Sequence, residues 1–325
     1  MNIKLDKIDR KIIYSLGINS RQAASEIARK FKISKEVANY RINNLVKNKV
    51  IQKYLAILNP PLLGIGLYKV CLKLQNISKE KKSELIKTLY DDDHISYLAE
   101  CDGVFDIMFV FNARSYHDFD SYLTDFYNKY SYYINKKELG TNVYGKYYGR
   151  TYLLDKPIHE EETSYGKLMI APKLDDKDWV ILKCLCDNTR IECTEIAKNL
   201  KISADAIRKR IIALENSGII SGYSIVLNNP IIGQMHYKVF VELQDLSEKT
   251  LASIKEFARQ SGRIVYIIKS LARWDLEIDI EVDTAEQYRE IMAKFSETFP
   301  NKIKSFESVI IYKIHEYTYL PKKFI

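Results

Sequence analysis

The stretch SEIARKFKIS, from Ser25 to Ser34, returns as TEIAKNLKIS from Thr194 to Ser203. An internal repeat constrains a fold more than any single motif, because both copies must satisfy the same packing rules. Laid over itself at an offset of 169, the chain keeps register without a gap from Leu5/Leu174 to Val70/Val239. That span holds 25 identities in 66 positions. Asp106/Asp275 and Ile134/Ile303 hold the register further on, so the chain is a duplicated unit of roughly 150 residues, within the usual size of a domain or two.

Composition bounds what such a unit does. With 46% apolar residues each copy has material for a core, and no apolar stretch approaches the roughly 18 residues of a membrane span. The start, MNIKLDKIDRK, lacks an apolar signal region, so a cytoplasmic protein with no membrane partner is expected. Five cysteines, Cys71, Cys101, Cys184, Cys186 and Cys193, form no paired framework. Cys184-x-Cys186 falls within an apolar helix with no second pair or clustered histidines. Buried thiols are expected there, and no metal or other cofactor. The 24 tyrosines accompany abundant Lys, Ile and Asn, as an AT-rich genome would give, and carry little functional weight.

The net charge of +8 is unevenly placed. Residues 1–60 hold 13 Lys/Arg against 4 Asp/Glu, whereas residues 171–230 hold 9 against 8. The whole basic excess lies in the first sixty residues. That fits a segment that meets a polyanion; a lysine-rich solvated face is the plainer alternative.

Asp6 and Asp175 each precede an apolar-periodic run and are followed three positions later by Asp9 or Asp178, which reads as a capped helix start. The first helix buries Ile8, Ile12, Ile13 and Leu16. A short second helix spans Ala23 to Phe31. Ser34 caps a third, with Val37, Ala38, Ile42, Leu45 and Val46 inward; its counterpart buries Ala206, Ile207, Ile211 and Leu214. A strand-like run, Ile51 to Leu58, completes a winged helix-turn-helix.

In such a unit the third helix enters the major groove of DNA. Its outward residues are Lys35, Glu36, Asn39, Tyr40 and Asn43 in the first copy, and Ala204, Asp205, Arg208, Lys209 and Ile212 in the second. Asn pairs with adenine and Arg with guanine. Arg41 and Arg210 are the same residue in both copies: either phosphate clamps or salt-bridge partners, with Glu26 and Glu195 as candidate acids. Lys47, Lys49 and Lys53 read as phosphate contacts, and Asn216, Gly218 and Gly222 replace them in the second copy.

After Pro61 or Pro230 the order becomes β-α-β-β-α-β. Strands read at Leu67–Leu74, His94–Cys101 and Asp106–Asn112, helices at Ser78–Tyr90 and Tyr116–Tyr130, and the second copy repeats them. That order predicts a ferredoxin-like four-stranded antiparallel sheet with both helices on one face, hence an α+β chain. The domains expected are 1–60 and 174–230 (winged helix-turn-helix), 61–154 and 231–325 (ferredoxin-like), and a linker at 155–173.

Leu-Asp-x-x-Asp-x-x-Ile, Glu-Ile-Ala, Ile-Ser, Arg-Ile-x-x-Leu, Tyr-x3-Leu-Asn and Gly-Val-Phe-Asp together resemble the Lrp/AsnC family of transcriptional regulators. The resemblance covers nearly the whole chain outside the linker. It implies that double-stranded DNA is the partner of the winged domains. It also implies that the ferredoxin-like (RAM) domains pair sheet to sheet, with an amino-acid effector near a Gly-x-x-Asp turn. Carried over, that turn is Gly103 and Asp106, with turn-capping the other reading of Asp106. In the second copy the glycine is Ala272, which argues against a ligand there. Lys32 and Lys201 stand in the helix-turn-helix turn where the family often has glycine.

Family members are typically single units that dimerise. Here two units share one chain, and the linker, if extended, spans roughly 60 Å. Repeat 1 is therefore expected to pair with repeat 2, as an intrachain pseudo-dimer or in a homo-oligomer. A different class of protein is also similar: siroheme decarboxylases have the same fold and come as paired unlike subunits. That resemblance asks for a His-Asn-Tyr-type motif, where this chain has Asp93-His94-Ile95-Ser96-Tyr97 and no histidine beside Val265-Tyr266. No catalytic residue is assigned. A ligand-sensing adaptor with one degenerate DNA-binding half is the third reading.

Overall fold

The computed structural model describes residues 3–155, 163–166 and 173–324. Helix α1 (Lys7–Ile18) starts from a reciprocal cap: Asp6 accepts from the Ile8 and Asp9 backbone N–H groups, and Asp9 accepts from Asp6 N–H. Helix α2 (Ala24–Phe31) ends on Lys32 at φ 56°, and α3 (Lys35–Lys47) starts at Ser34, which accepts from Val37 N–H. Lys201 repeats the left-handed turn at φ 53°. A residue with a Cβ is held there by the tightness of the turn, at a cost of roughly 1 kcal/mol. Ile12, Ile13, Leu16, Ile27, Ala38, Ile42 and Leu45 form the core of this head. Val37 and Val46, expected inside, are each 40% exposed, because they lie on the rims of the α3 apolar stripe.

Strand β1 (Ile51–Leu58) leads through a 3-10 turn into β2 (Gly66–Leu74), α4 (Lys79–Tyr90), β3 (Ile95–Gly103), β4 (Ile107–Ala113), α5 (Tyr116–Tyr130) and β5 (Ile134–Tyr147). These strands lie in the order β5-β2-β4-β3, the ferredoxin-like arrangement, with α4 and α5 covering the outer face through Leu85, Leu89, Phe119 and Phe126. A short strand β6 (Thr163–Tyr165) lies within the expected linker and pairs with β5; most of that linker is outside the described residues.

The second copy repeats the first: α6 (Asp176–Asp187), α7 (Cys193–Leu200), α8 (Ala204–Asn216), β7 (Ile220–Leu227), β8 (Met235–Leu243), α9 (Glu248–Ser261), β9 (Ile264–Leu271), β10 (Leu276–Val282), α10 (Ala285–Thr298) and β11 (Ile303–Tyr317). Its sheet runs β11-β8-β10-β9. The two sheets then join at both edges, β11 to β3 and β5 to β9, and close into an eight-stranded barrel. Closure leaves no edge of either sheet open, and the faces that the helices do not cover become the barrel interior.

The strand after each head is not a separate wing. β1 and β7 pair antiparallel with each other, Leu55 opposite Ser224, which are the same position of the two copies. Each strand also packs under the other copy's helices. Ile225 and Leu227 of β7 complete the first head, and Leu55 to Leu58 of β1 join Ile181, Leu185 and Ile207 of the second. The halves are therefore interlocked through their cores. An apolar strand needs both a hydrogen-bonding neighbour and a covered face, and the other copy supplies both.

Candidate nucleic-acid interface

On α3, Lys35, Glu36, Asn39 and Asn43 are exposed and Tyr40 is 68% exposed. On α8, Arg208 and Lys209 point to solvent, but both reach Asp205: Arg208 Nη1 lies 3.4 Å from Oδ1 and Lys209 Nζ lies 3.2 Å from Oδ2. The second helix thus partly neutralises its own cations, and Ala204 is half-buried.

Arg41 faces α1. Its Nη1 lies 2.5 Å from Asp6 Oδ2 and 2.9 Å from Asp9 Oδ1, so it ties α3 to the cap of α1. Arg210 does the same with Asp175 and Asp178, at 2.9 and 2.7 Å. Burial pushes the Asp6 carboxyl up, but the Asp9 backbone N–H and the Arg41 guanidinium outweigh it and hold Asp6 below the usual carboxylate range. Both arginines thus make salt bridges, with different acids from those expected: Glu26 instead accepts from Ala23 N–H at the start of α2.

Lys47 and Lys49 are exposed, and Lys49 adopts φ 57° where the second copy has Gly218 at φ 74°. Lys53, expected at phosphate, has an acidic partner within the chain. It pairs with Glu316 of β11 at 2.8 Å and joins the first head's strand to the second copy's sheet. The acid could not be foreseen by matching copies, because the position equivalent to Glu316 is Tyr147.

The Gly103–Asp106 turn holds its own contacts. Asp106 accepts from Leu74 N–H at 2.7 Å and from Lys73 Nζ at 2.9 Å, and Lys73 also donates to Gly103 C=O. Asp275 accepts from Leu243 N–H in the same way, and its lysine partner is Lys269 of β9 at 3.3 Å, since Glu242 stands at the position of Lys73. Turn-capping explains both aspartates. Gly103, at φ 127°, lies against β11, where a Cβ would meet Ser308 C=O at 2.7 Å. At the matching contact Ala272 lies against Gly140, so the glycine has changed sides of the interface and the close approach is kept.

A buried charge network occupies the barrel interior, and the sequence reading missed it. Glu277, Asp279 and Glu281 alternate along β10 with Leu276, Ile278, Ile280 and Val282, which face α9 and α10. All three acids are at most 5% exposed. Lys69 pairs with Glu277; Lys238 lies 2.7 Å from Asp279 and 3.3 Å from Glu277. His236 Nε2 lies 2.7 Å from Asp279 Oδ1. Arg150 grips Glu281 with two parallel bonds at 2.8 and 2.9 Å, and Tyr152 donates to the same carboxylate at 2.6 Å. Ser270 and Trp274 donate to Glu277. Burial alone would raise all three carboxyls, but Lys69 and Lys238 hold Glu277 below its usual range, Lys238 and His236 hold Asp279 there, and Arg150 holds Glu281. Lys69 itself is pushed down by burial against the pull of Glu277. The signal was present in the period-two acids, which occupy the positions of Met108, Val110 and Asn112 in the first copy.

His94, the histidine of the decarboxylase comparison, lies outside this interior, with Nδ1 2.9 Å from Asp92 and its ring stacked on Phe111. Among the described residues no cluster of three or more His, Cys, Asp or Glu could hold a metal, and no helix is long and apolar enough to cross a membrane.

A family described as winged helix-turn-helix DNA-binding matches residues 5–52 and again 174–221. An uncharacterized HTH-type transcriptional regulator of Pyrococcus abyssi is 31% identical over 106 residues, which are 32% of this chain and 68% of that protein. The HTH-type transcriptional regulator LrpA of Pyrococcus horikoshii is 48% identical over 60 residues, which are 18% of this chain and 43% of LrpA. Among solved structures, that of the siroheme decarboxylase NirDL covers 97% of this chain and 94% of its own, with a TM-score of 0.59 and 13% identity, a likeness of fold.

Proposed function

Since this chain belongs to the Lrp/AsnC family of helix-turn-helix transcriptional regulators, we propose that it is a covalent pseudo-dimer that reads one asymmetric DNA site with two unlike recognition helices. The observation that carries this reading is the chemical difference between α3 and α8 at matched positions. Asn39, Tyr40 and Asn43 stand on one helix where Arg208, Lys209 and Ile212 stand on the other. Arg presents two donors to a base edge where Asn presents a donor and an acceptor, each good pair being worth roughly 1–3 kcal/mol of discrimination. One half-site should lean towards A/T and the other should contain guanine. The first head supplies most of the affinity, because its basic excess is not matched in the second, where Asp205 also engages both cations.

An amino-acid effector at the Gly103–Asp106 turn would have to displace Leu74 N–H and Lys73 from Asp106, so that turn gives an effector little support. Selection of bound DNA from a randomised pool tests the reading. A non-palindromic motif per chain is expected, and Arg208→Asn should relax the guanine preference in one half-site. Two identical half-sites under one chain would overturn it.

The decarboxylase is the second reading, favoured by the whole-chain likeness of fold to NirDL and by His236 inside the barrel. NirDL has also been solved with an iron-uroporphyrin III analogue, a macrocycle rimmed with carboxylates. Such a ligand calls for uncommitted cations. Here Lys69, Lys238 and Arg150 are each bound to a buried acid, which weighs against it. Tetrapyrrole absorbance that copurifies with the protein would favour the enzyme.

A further inference from the structure

Between the β1/β7 pair and the barrel lies a cavity of about 120 Å³. One water needs roughly 10–15 Å³ of such space, so the cavity has room for several waters or for a ring system of about nine heavy atoms. Its roof is Leu55 and Ile57 of β1 with Ser224 and Ile225 of β7. Val110, Val265 and Ile268 supply apolar wall, and Tyr147, Tyr165 and Tyr266 supply aromatic wall.

Two observations restrict what fits. First, the ionic side chains at the cavity are already matched. Lys69, Lys238 and Arg150 stand against Glu277, Asp279 and Glu281, each pair in direct contact. An ionic ligand would have to break one of these pairs or bring an unmatched charge into a buried site, and either is strongly unfavourable. Second, the Oδ1 atom of Asn142, a residue that lines the cavity, is buried and accepts no hydrogen bond. A buried acceptor left unpaired is costly, and a ligand N–H or O–H would relieve it.

We propose that this cavity is a binding site for a small uncharged ring compound that carries one hydrogen-bond donor, the donor meeting Asn142 and the ring lying against the tyrosines and aliphatic wall. The site is separate from the outward faces of α3 and α8, so it stands or falls independently of DNA reading. An occupant touches both the β1/β7 pair and the barrel, and so sits at the joint between the heads and the body.

Isothermal titration of the full chain with indole tests this. Saturable binding of one indole per chain is expected. N-methylindole, which lacks the donor, should bind at least tenfold more weakly, as should the anion indole-3-acetate and the cation tryptamine. Val110→Trp, which fills the cavity from β4, should abolish indole binding. Asn142→Leu, a second and milder change, should bring indole down to the level of N-methylindole. No saturable heat from indole, equal binding of either ion, or unchanged indole binding by both variants would overturn the proposal.

Discussion

Ser20 Oγ and Thr189 Oγ1 lie 2.8 Å apart, both fully buried, and they are the same position of the two copies. The pseudo-two-fold axis of the chain therefore passes between them, as it does between Leu55 and Ser224. The flanking arginines make reciprocal contacts: Arg21 donates to Thr189 C=O, and Arg190 donates to Ser20 C=O at 2.7 Å and to Gln22 C=O at 2.8 Å. Removing both side chains, Arg21→Ala with Arg190→Ala, leaves carbonyls at the centre of the head-to-head contact without their charged donors. A loss of roughly 2–4 kcal/mol is expected from these three part-buried charge-assisted bonds, read by urea unfolding. A change below about 0.5 kcal/mol would mean that the axis contact is incidental.

Glu281→Gln should be among the most damaging single changes in the barrel. It leaves the Arg150 guanidinium, which is 8% exposed, without a counter-charge, and breaking such a buried pair costs roughly 3–5 kcal/mol. Pairing it with Arg150→Met should recover much of the loss, because the second change removes the stranded charge. Guanidinium denaturation of the single and double variants measures both.

Acid should open the barrel. The folded carboxyls of Glu277, Asp279 and Glu281 are held below their unfolded values of roughly 4, so the unfolded chain binds more protons and stability rises with pH. Their contribution is complete above about pH 5 and is lost as pH falls through about 4 towards the lower folded values. Unfolding midpoints measured from pH 7 to pH 3 should be flat and then drop. Stability that rose on acidification would contradict the ion pairing.

On the DNA side, Lys47 and Lys49 should behave differently from Lys53. Removing Lys47 and Lys49 should weaken binding to all sequences and lower the salt slope by about two, roughly 0.9 for each phosphate that is no longer neutralised. Lys53→Ala should mainly cost stability, since its partner is Glu316. Asp205→Ala should act in the opposite sense, freeing Arg208 and Lys209 and steepening the salt dependence. Fluorescence anisotropy titrations at several salt concentrations separate these outcomes.

Much of this was legible in the sequence because it rests on local signals. The caps at Asp6, Ser34 and Asp175, the helical stripes and the period-two strands fall within a residue or two of their places. The β-α-β-β-α-β order gave the sheet topology. What was hidden depends on the other copy. Nothing local tells β1 to pair with β7, or Lys53 to meet Glu316. Alternating acids such as those of β10 ordinarily mark a solvent-facing side of a strand. Only closure of the barrel turns that side inward, where the acids meet Lys69 and Arg150 of the first copy.

That interior also decides which halves belong together. The first copy brings Lys69 and Arg150 and no acid, with Met108, Val110 and Asn112 at the acidic positions; the second brings Lys238 with Glu277, Asp279 and Glu281. Two first copies would bury four cations without an anion, and two second copies would bury six acids with two lysines. Only the unlike pair is neutral, so mispairing is opposed by unmatched buried charge. The most direct measurement is native mass spectrometry of residues 1–155 and 173–325 coexpressed as separate chains. A 1:1 complex of unlike halves is expected, with each half unstable or aggregated when made alone. Well-folded homodimers of either half, formed as readily as the mixed pair, would contradict it.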